Sequence, residues 1–439
     1  MQRLIPAILA VFFTLAIVPT ALAGREGCRI CGMYIDQYQA TAARLTTTDG
    51  TTLSTCGVAC MIRLVNDRGG PDAFSSITVH DWVSGREVDA TAATYVIGSD
   101  LVPDMLPTLI AFADRTAAEA FMADHGGDAL TFTQALMSIS PMGMTMPSRL
   151  NTAVLPPQRA VAAGIGYMSM VMDDLMIGTD EVSLASYLAQ RGGTMAPKEM
   201  TSKGLMYMLN LGITDNVALT VKTRHLEKEM TMQMVMMGQT TETTQHVNGM
   251  TDTDLILRYN LWKDTTYSKF LTLLAGVSLP TGDFRETYRT MPGLQLGIDT
   301  LGYRAGLLAS ARFGDFWLHG EASYYLRPEN GKDYDFGDSA TLALALHYTP
   351  TYNFMIGLET DYTATGKDED RGVTSETTGG ERANLAVVSS WRFLTALGGN
   401  FNLKVTAGVP YYTDVNGGGL GTKYFANFMV SFKRRLPPF

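Results

Sequence analysis

From about residue 161 to its end, the chain alternates apolar residues with polar or small ones at a period of two. In 205–213, Leu205, Tyr207, Leu209, Leu211 and Ile213 share one face. Phe316, Leu318, Gly320, Ala322, Tyr324 and Leu326 alternate with Trp317, His319, Glu321, Ser323, Tyr325 and Arg327. Leu403, Val405, Ala407 and Val409 do the same against Asn402, Lys404, Thr406 and Gly408. Segments of about ten residues with one apolar face are the pattern of a transmembrane β-barrel, whose outside meets lipid. A soluble sandwich shows the same alternation with the faces exchanged in role, so periodicity alone leaves both open.

The gaps between segments separate the two. Strand candidates fall near 163–173, 203–213, 216–227, 251–262, 268–279, 303–314, 316–328, 339–349, 352–365, 382–394, 401–412 and 422–433. Short turns at 214–215, 263–267, Asp315, 350–351 and 395–400 alternate with long polar loops such as 366–381. Outer-membrane barrels have short periplasmic turns, long outer loops and an even strand number. An even number returns the chain end to the side on which the barrel began. The last strand carries Tyr424, Phe428 and Phe432, and the chain ends in Phe439 after Pro437 and Pro438. This resembles the C-terminal signal read by the barrel-assembly machinery, with Phe432 as the residue inside the strand. The run Gly276-Val277-Ser278-Leu279-Pro280-Thr281-Gly282-Asp283 resembles a strand end of the outer-membrane transporter family associated with phenol meta-pathway degradation.

Composition narrows the class. Only 18% of the 439 residues are charged, against about 25% in an ordinary soluble domain. With 46% hydrophobic residues and 4 Cys, this is neither a disordered chain, a coiled coil nor a disulfide-dense mini-protein. Repeated runs of about 20 apolar residues, which helical membrane proteins need, are absent. A net charge of −9 argues against a nucleic-acid partner. Residues 1–23 read as a signal peptide: Arg3, an apolar stretch from Leu4 to Val18, and Ala21-Leu22-Ala23 before the cut. The expected location is the outer membrane, with the N-terminal domain in the periplasm.

Residues 24–137 hold all four cysteines and read as an α+β domain. A helix is expected from Gly57 to just before Gly69, and another between a Thr116/Glu119 capping box and Gly126. Strands are expected at 108–113 and 129–133. Residues 138–160, with Pro141, Pro147, Pro156 and Pro157, read as an extended linker that also carries Met142, Met144 and Met146. The expected fold is thus an α+β N-terminal domain followed by an all-β transmembrane barrel of about 12 antiparallel strands over 161–439.

The sharpest motif is Cys28-Arg29-Ile30-Cys31-Gly32-Met33, followed by Cys56 and Cys60. Two thiolates in a Cys-x-x-Cys loop can chelate one ion. Soft thiolate and thioether donors favour Cu(I), while four thiolates favour Zn. Met33 adds a neutral soft donor and tilts the choice to copper. The competing reading is two short-range disulfides in an oxidising compartment, for structure or for thiol exchange. His80 and His125 read as ordinary polar positions.

Here the chain resembles the NosL family of copper-binding accessory proteins. Shared landmarks are Cys28, Cys31, Gly32, Met33, the Asp49-Gly50 turn, Cys56 and Cys60, Ile110-Ala111-Phe112, Ala118-Glu119-Ala120-Phe121 and His125-Gly126-Gly127. The resemblance covers about residues 27–137. It implies Cu(I) binding and delivery without catalysis, and it makes Met105 a ligand candidate, although Pro103-Asp104-Met105-Leu106 departs from the family's Pro-Met-Gly. The implied metal set is Cys28, Cys31, Met33, Cys56, Cys60 and Met105, for Cu(I), with Zn or Ag(I) as alternatives and a periplasmic copper donor or acceptor as partner.

Fourteen of 26 Met fall between 168 and 250. Met168, Met170, Met172 and Met176 are expected at the outer end of the first strand. Met230, Met232, Met234, Met236 and Met237 are expected in the loop after the third strand, followed by His246 and Met250. They are a hydrophobic cluster at the barrel mouth or a soft-metal site. Turning the apolar faces to lipid points Lys222, Arg224, Arg258, Arg304, Arg312, Glu321, Arg327, Glu359, Asp361, Arg392 and Lys404 inward, where opposite charges are expected to pair. No hydrolase or phosphate-loop motif appears. The reading is a non-enzymatic copper-handling protein anchored in the outer membrane; the alternative is a passive channel for small hydrophobic solutes with a disulfide-bonded accessory domain.

Overall fold

An alternating strand can cross a bilayer only if its backbone N–H and C=O groups are paired on both edges, which forces the sheet to close. The structure, a computed structural model, describes residues 26–139, 146–264, 267–351, 353–397 and 399–436. The leader over 1–23, Met142, Met144, Pro437, Pro438 and Phe439 lie outside the described residues.

The N-terminal domain has two small antiparallel sheets. Strands β1 (Ala43–Thr47), β2 (Thr52–Thr55), β3 (Phe74–His80) and β4 (Glu87–Asp89) are ordered β2-β1-β3-β4. Strands β5 (Thr94–Ile97), β6 (Leu109–Phe112) and β7 (Asp128–Leu130) are ordered β6-β5-β7. Helices α1 (Val58–Asp67), α2 (Arg115–His125) and α3 (Phe132–Ile139) pack on them. One core joins Leu45, Met61, Ile62, Val79, Tyr95 and Leu109 to Cys28, Cys56 and Cys60. The α2 cap is Asp114, whose carboxylate accepts from Ala117 N at 2.9 Å, so the N-cap lies two residues before the expected Thr116 and, with Ala117 at the third helical position, is a single cap and not a capping box. Glu119 pairs with Arg115 instead. The strand expected over 129–133 stops at Leu130, and Phe132 opens α3.

Eleven strand elements make the wall among the described residues: β8 (Ala160–Gly178), β9 (Met195–Thr214), β10 (Val217–Met236), and, beyond a strand β11 (Gln239–Met250) that lies outside the ring, β12 (Thr253–Lys263), β13 (Lys269–Leu279), β14 (Gly302–Phe313), β15 (Phe316–Leu326), β16 (Ser339–Thr351), β17 (Phe354–Thr365), β18 (Gly380–Ala396) and β19 (Gly399–Arg435). Every neighbour pair is antiparallel, and β9 closes the ring on β8 from Met200 opposite Met172 to Leu211 opposite Val161. Element β19 crosses twice: 399–415 pairs with β18 and 419–435 with β8. Its reversal uses Gly417 and Gly418 at positive φ, which a side chain would strain. The wall therefore has twelve crossings. Outward Leu342, Leu344 and Leu346 are exposed to the lipid side, while inward Ala343, Ala345 and His347 are buried.

One expectation is corrected. Met230, Met232, Met234 and Met236 belong to β10, not to a loop, and β11 folds back on them with Met236 opposite Gln239. Met237 and Gly238 turn the chain with φ of 51° and 77°, the type I′ arrangement. A methionine at the first turn position hides a signal that Asn or Asp would announce.

Residues 146–155 enter the lumen. The Glu359 carboxylate accepts from Ser148 N at 2.8 Å and Arg149 N at 2.7 Å. Arg149 forks onto Asp361 at 2.6 and 2.9 Å, and Glu321 accepts from Asn151 N at 2.6 Å. On the other walls, Arg258 donates to Thr152 O at 3.0 Å, Thr272 to Ala153 O at 2.8 Å, and Thr406 to Ser148 Oγ at 2.8 Å. Below this polar layer Ala153 and Val154 pack on Leu274, Leu308, Phe270 and Trp317. Contacts on β12, β13, β15, β17 and β19 show that the segment fills the inner lumen. The lumen carboxylates are thus satisfied mainly by this segment rather than by wall cations.

Removing the Glu359 acceptor by Glu359→Ala orphans two buried N–H groups, each costing about 1–3 kcal/mol. We expect a lower Tm in detergent and a higher single-channel conductance in planar bilayers. Unchanged conductance would show that residues 146–155 do not close the lumen.

Candidate metal centre

Two local structures present the cysteines. In the 28–33 loop, Cys28 N donates to Met33 O at 2.7 Å and Gly32 N to Cys28 O at 2.9 Å, with Gly32 at φ 84°. Cys56 directly follows β2 and precedes Gly57, the N-cap of α1, and Cys60 follows one helical turn later. The Thr41 hydroxyl donates to Cys56 O at 2.9 Å and ties that junction to the loop after Tyr38. Both pairs therefore meet at the α1 N-terminus.

All four sulfurs lie within 4.8 Å of one another, and all four cysteines are free. A close approach joins the two motifs, with Cys31 Sγ 3.4 Å from Cys56 Sγ, and within the second motif Cys56 Sγ is 3.7 Å from Cys60 Sγ. A tetrahedral ion with bonds of about 2.3 Å would set sulfur–sulfur edges of about 3.8 Å, so the donor set fits one ion. The Met105 thioether lies 3.0 Å from Cys60 Sγ. Met33 is held by its main chain, and its side chain packs against the domain core. Cys28, Cys56 and Cys60 are buried, and Cys31 is half-buried. His80 and His125 stand apart, bonded to Ala42 O at 2.8 Å and Asp100 at 2.9 Å.

The thiols share their protons. Hydrogen bonds from Cys31, then from Cys56 and Cys60, hold Cys28 well below the ordinary thiol range. Cys31, held up by its bond to Cys28 but drawn down more by those of Cys56 and Cys60, falls to about 7. Bonding to Cys28 and then Cys31 pushes Cys56 and Cys60 upward. A first thiolate is thus favoured at Cys28 and a second forms at Cys31 near neutral pH, while Cys56 and Cys60 need a cation to lose their protons.

Three supporting residues escaped sequence reasoning. Arg63 reaches Met105 Sδ at 3.6 Å and Leu106 O at 3.3 Å, clamping the methionine loop. Asp104 accepts from Met105 N at 2.6 Å, and burial raises its carboxyl to about 6. Gly57 makes room for it: a Cβ there would stand 1.4 Å from Asp104 Oδ2. The Pro103-Asp104 step was the available signal. The centre also touches the barrel, since Arg159 at the foot of β8 donates to Ile30 O and Asn400 Nδ2 donates to Asn66 O at 3.0 Å.

The NosL family model matches residues 19–138, and the model of the family described as "Putative MetA-pathway of phenol degradation" matches residues 204–428. The "Copper-binding lipoprotein NosL" of Stutzerimonas stutzeri is 28% identical over 124 residues, covering 26% of this chain. This chain spans 65% of that relative's length. Among solved structures, an outer membrane channel from Pseudomonas putida F1 aligns at 15% identity and TM-score 0.48, over 65% of this chain and 100% of that one. The copper chaperone NosL from Shewanella denitrificans aligns at 22% identity and TM-score 0.23, over 26% of this chain and 92% of that one.

In the reduced, metal-free protein, iodoacetamide should modify Cys31 first, because thiolate and access coincide there. Its rate should rise through pH 7, where an ordinary thiol responds near 8.5. A rate rising only above pH 8, read by mass spectrometry, would contradict the shared-proton arrangement. Gly57→Ala should displace Asp104 and cost about 1–3 kcal/mol of stability, measured by denaturant unfolding.

Proposed function

Because the chain belongs to the barrel family described as "Putative MetA-pathway of phenol degradation" and carries a NosL domain ahead of the barrel, we propose that it is a Cu(I)-binding protein anchored in the outer membrane, with its metal centre on the periplasmic side. The observation that carries this reading is the convergence of Cys28, Cys31, Cys56 and Cys60 on one point, with Met105 beside Cys60. Thiolates and a thioether select a soft monovalent ion. Half-buried Cys31 is the side from which a partner's ligand can reach a bound ion, so exchange with a periplasmic copper donor or acceptor would pass there.

The barrel, in this reading, is an anchor. The segment 146–155 occupies the inner lumen, and Lys222, Arg224, Arg258 and Lys404 surround the cavity next to it. A bare cation gains nothing by crossing that layer. Periplasmic placement is supported by the short turns and both barrel ends lying on the domain's side, where Ala160 stands opposite Arg435. The β19 strand with Phe432 would be the element read by the barrel-assembly machinery. The barrel family match favours a second reading, a channel for small hydrophobic solutes that opens when the segment withdraws.

The test is an anaerobic Cu(I) titration of the reduced full chain in detergent against a chromogenic chelator. Cys28→Ser/Cys31→Ser should abolish tight binding. Since thiols must lose protons to bind, apparent affinity should fall at least about tenfold per pH unit below pH 7. Binding unchanged in the double variant would overturn the copper reading and leave the channel.

A further inference from the structure

The methionines on the outer half of the barrel are not used by the centre described above. Met172 on β8, Met200 on β9 and Met230 on β10 stand directly opposite one another across three adjacent strands. They share a face: Met200 is buried in a cluster that Met172 and Met230 pack against. Directly opposed residues have Cβ atoms about 4.5–5.5 Å apart, and a methionine has three rotatable bonds to bring its sulfur forward. Met230 also packs in a second cluster with Met168 and Met291, which adds donors on its other flank.

The Pro292–Leu294 turn covers these side chains closely: a Cβ on Gly293 would lie 3.3 Å from Met200 Sδ, so glycine there leaves the sulfur room to shift. The nearest cation on the same strand, Lys228, is held by the covering turn: its ammonium donates to Gly293 O at 2.8 Å and Gln295 O at 2.6 Å. Thioethers bind a soft ion without losing a proton, so no titration is needed.

We propose that Met172, Met200 and Met230 form a second soft-metal site in the outer lumen, taking a monovalent thiophilic ion, Cu(I) or Ag(I), in a thioether-only shell. The site is independent of the cysteine centre. It loads from the outer mouth, because the cationic layer of Lys222, Arg224, Arg258 and Lys404 lies on its inner side.

The experiment uses the full chain in detergent with Cys28→Ser/Cys31→Ser/Cys56→Ser/Cys60→Ser, which silences the cysteine centre and separates this proposal from the first. Silver nitrate is titrated in chloride-free buffer by calorimetry, followed by silver-edge X-ray absorption. The expected result is one equivalent of Ag(I) with a sulfur-only shell. Met172→Leu/Met200→Leu/Met230→Leu should weaken it at least tenfold, and Met232→Leu/Met234→Leu should leave it unchanged. Where the triple variant fails to fold, Met200→Leu alone should weaken binding, and methyl resonances of Met172, Met200 and Met230 should shift with Ag(I). Equal binding in the leucine variants, an oxygen or nitrogen shell, or equal uptake of Zn(II) would overturn the site.

Discussion

Three carboxylates buried inside the barrel, Glu321, Glu359 and Asp361, have to find donors, because an isolated ionised carboxylate away from water is far costlier than any single contact. The wall gives each a partner, Ser323 to Glu321, His347 to Glu359 and Asn384 to Asp361. Further donors come from the chain segment before the first strand, whose main-chain N–H groups at Ser148, Arg149 and Asn151 reach Glu359 and Glu321. That requirement fixes the segment, the segment fixes where the N-terminal domain leaves the barrel, and the domain's position sets which face of the metal centre is open. Arg159, just past the segment, reaches Ile30 between the two first cysteines. The polar satisfaction of the lumen and the placement of the cysteines are one chain of constraints.

Much of the barrel was legible because lipid and lumen impose strict alternation. Each of the twelve crossings overlaps a segment read from period two, from 163–173 in β8 to 422–433 in the return of β19. What escaped has a physical cause in each case. The β10–β11 hairpin was read as a loop because a Met237-Gly238 turn lacks the polar residue that normally marks positive φ. The lumen segment has no period to read: its residues are ordered by partners on five or more different strands. In the N-terminal domain, the Cys28/Cys31 and Cys56/Cys60 pairs were visible as motifs. That they form one cluster depends on the approach of the 28–33 loop to the α1 N-terminus, which no local pattern encodes.

The chain gathers soft sulfur donors in two separate places. Cysteines and Met105 sit in the N-terminal domain, and Met172, Met200 and Met230 cluster inside the barrel. Thiolates gain most from an ion that neutralises their shared charge, whereas thioethers bring no charge and suit a site that must release its ion. Zinc would be accommodated by four thiolates; Met105 at 3.0 Å from Cys60 Sγ is the feature that a zinc site would leave unused.

The segment 146–155 both fills the lumen and tethers the domain, and a single stretch of backbone cannot change one role alone. Fully extended chain spans about 3.3–3.6 Å per residue, so freeing these ten residues would add about 35 Å to the domain's reach. An emptied barrel and a domain able to swing well clear of the membrane surface would be the same state.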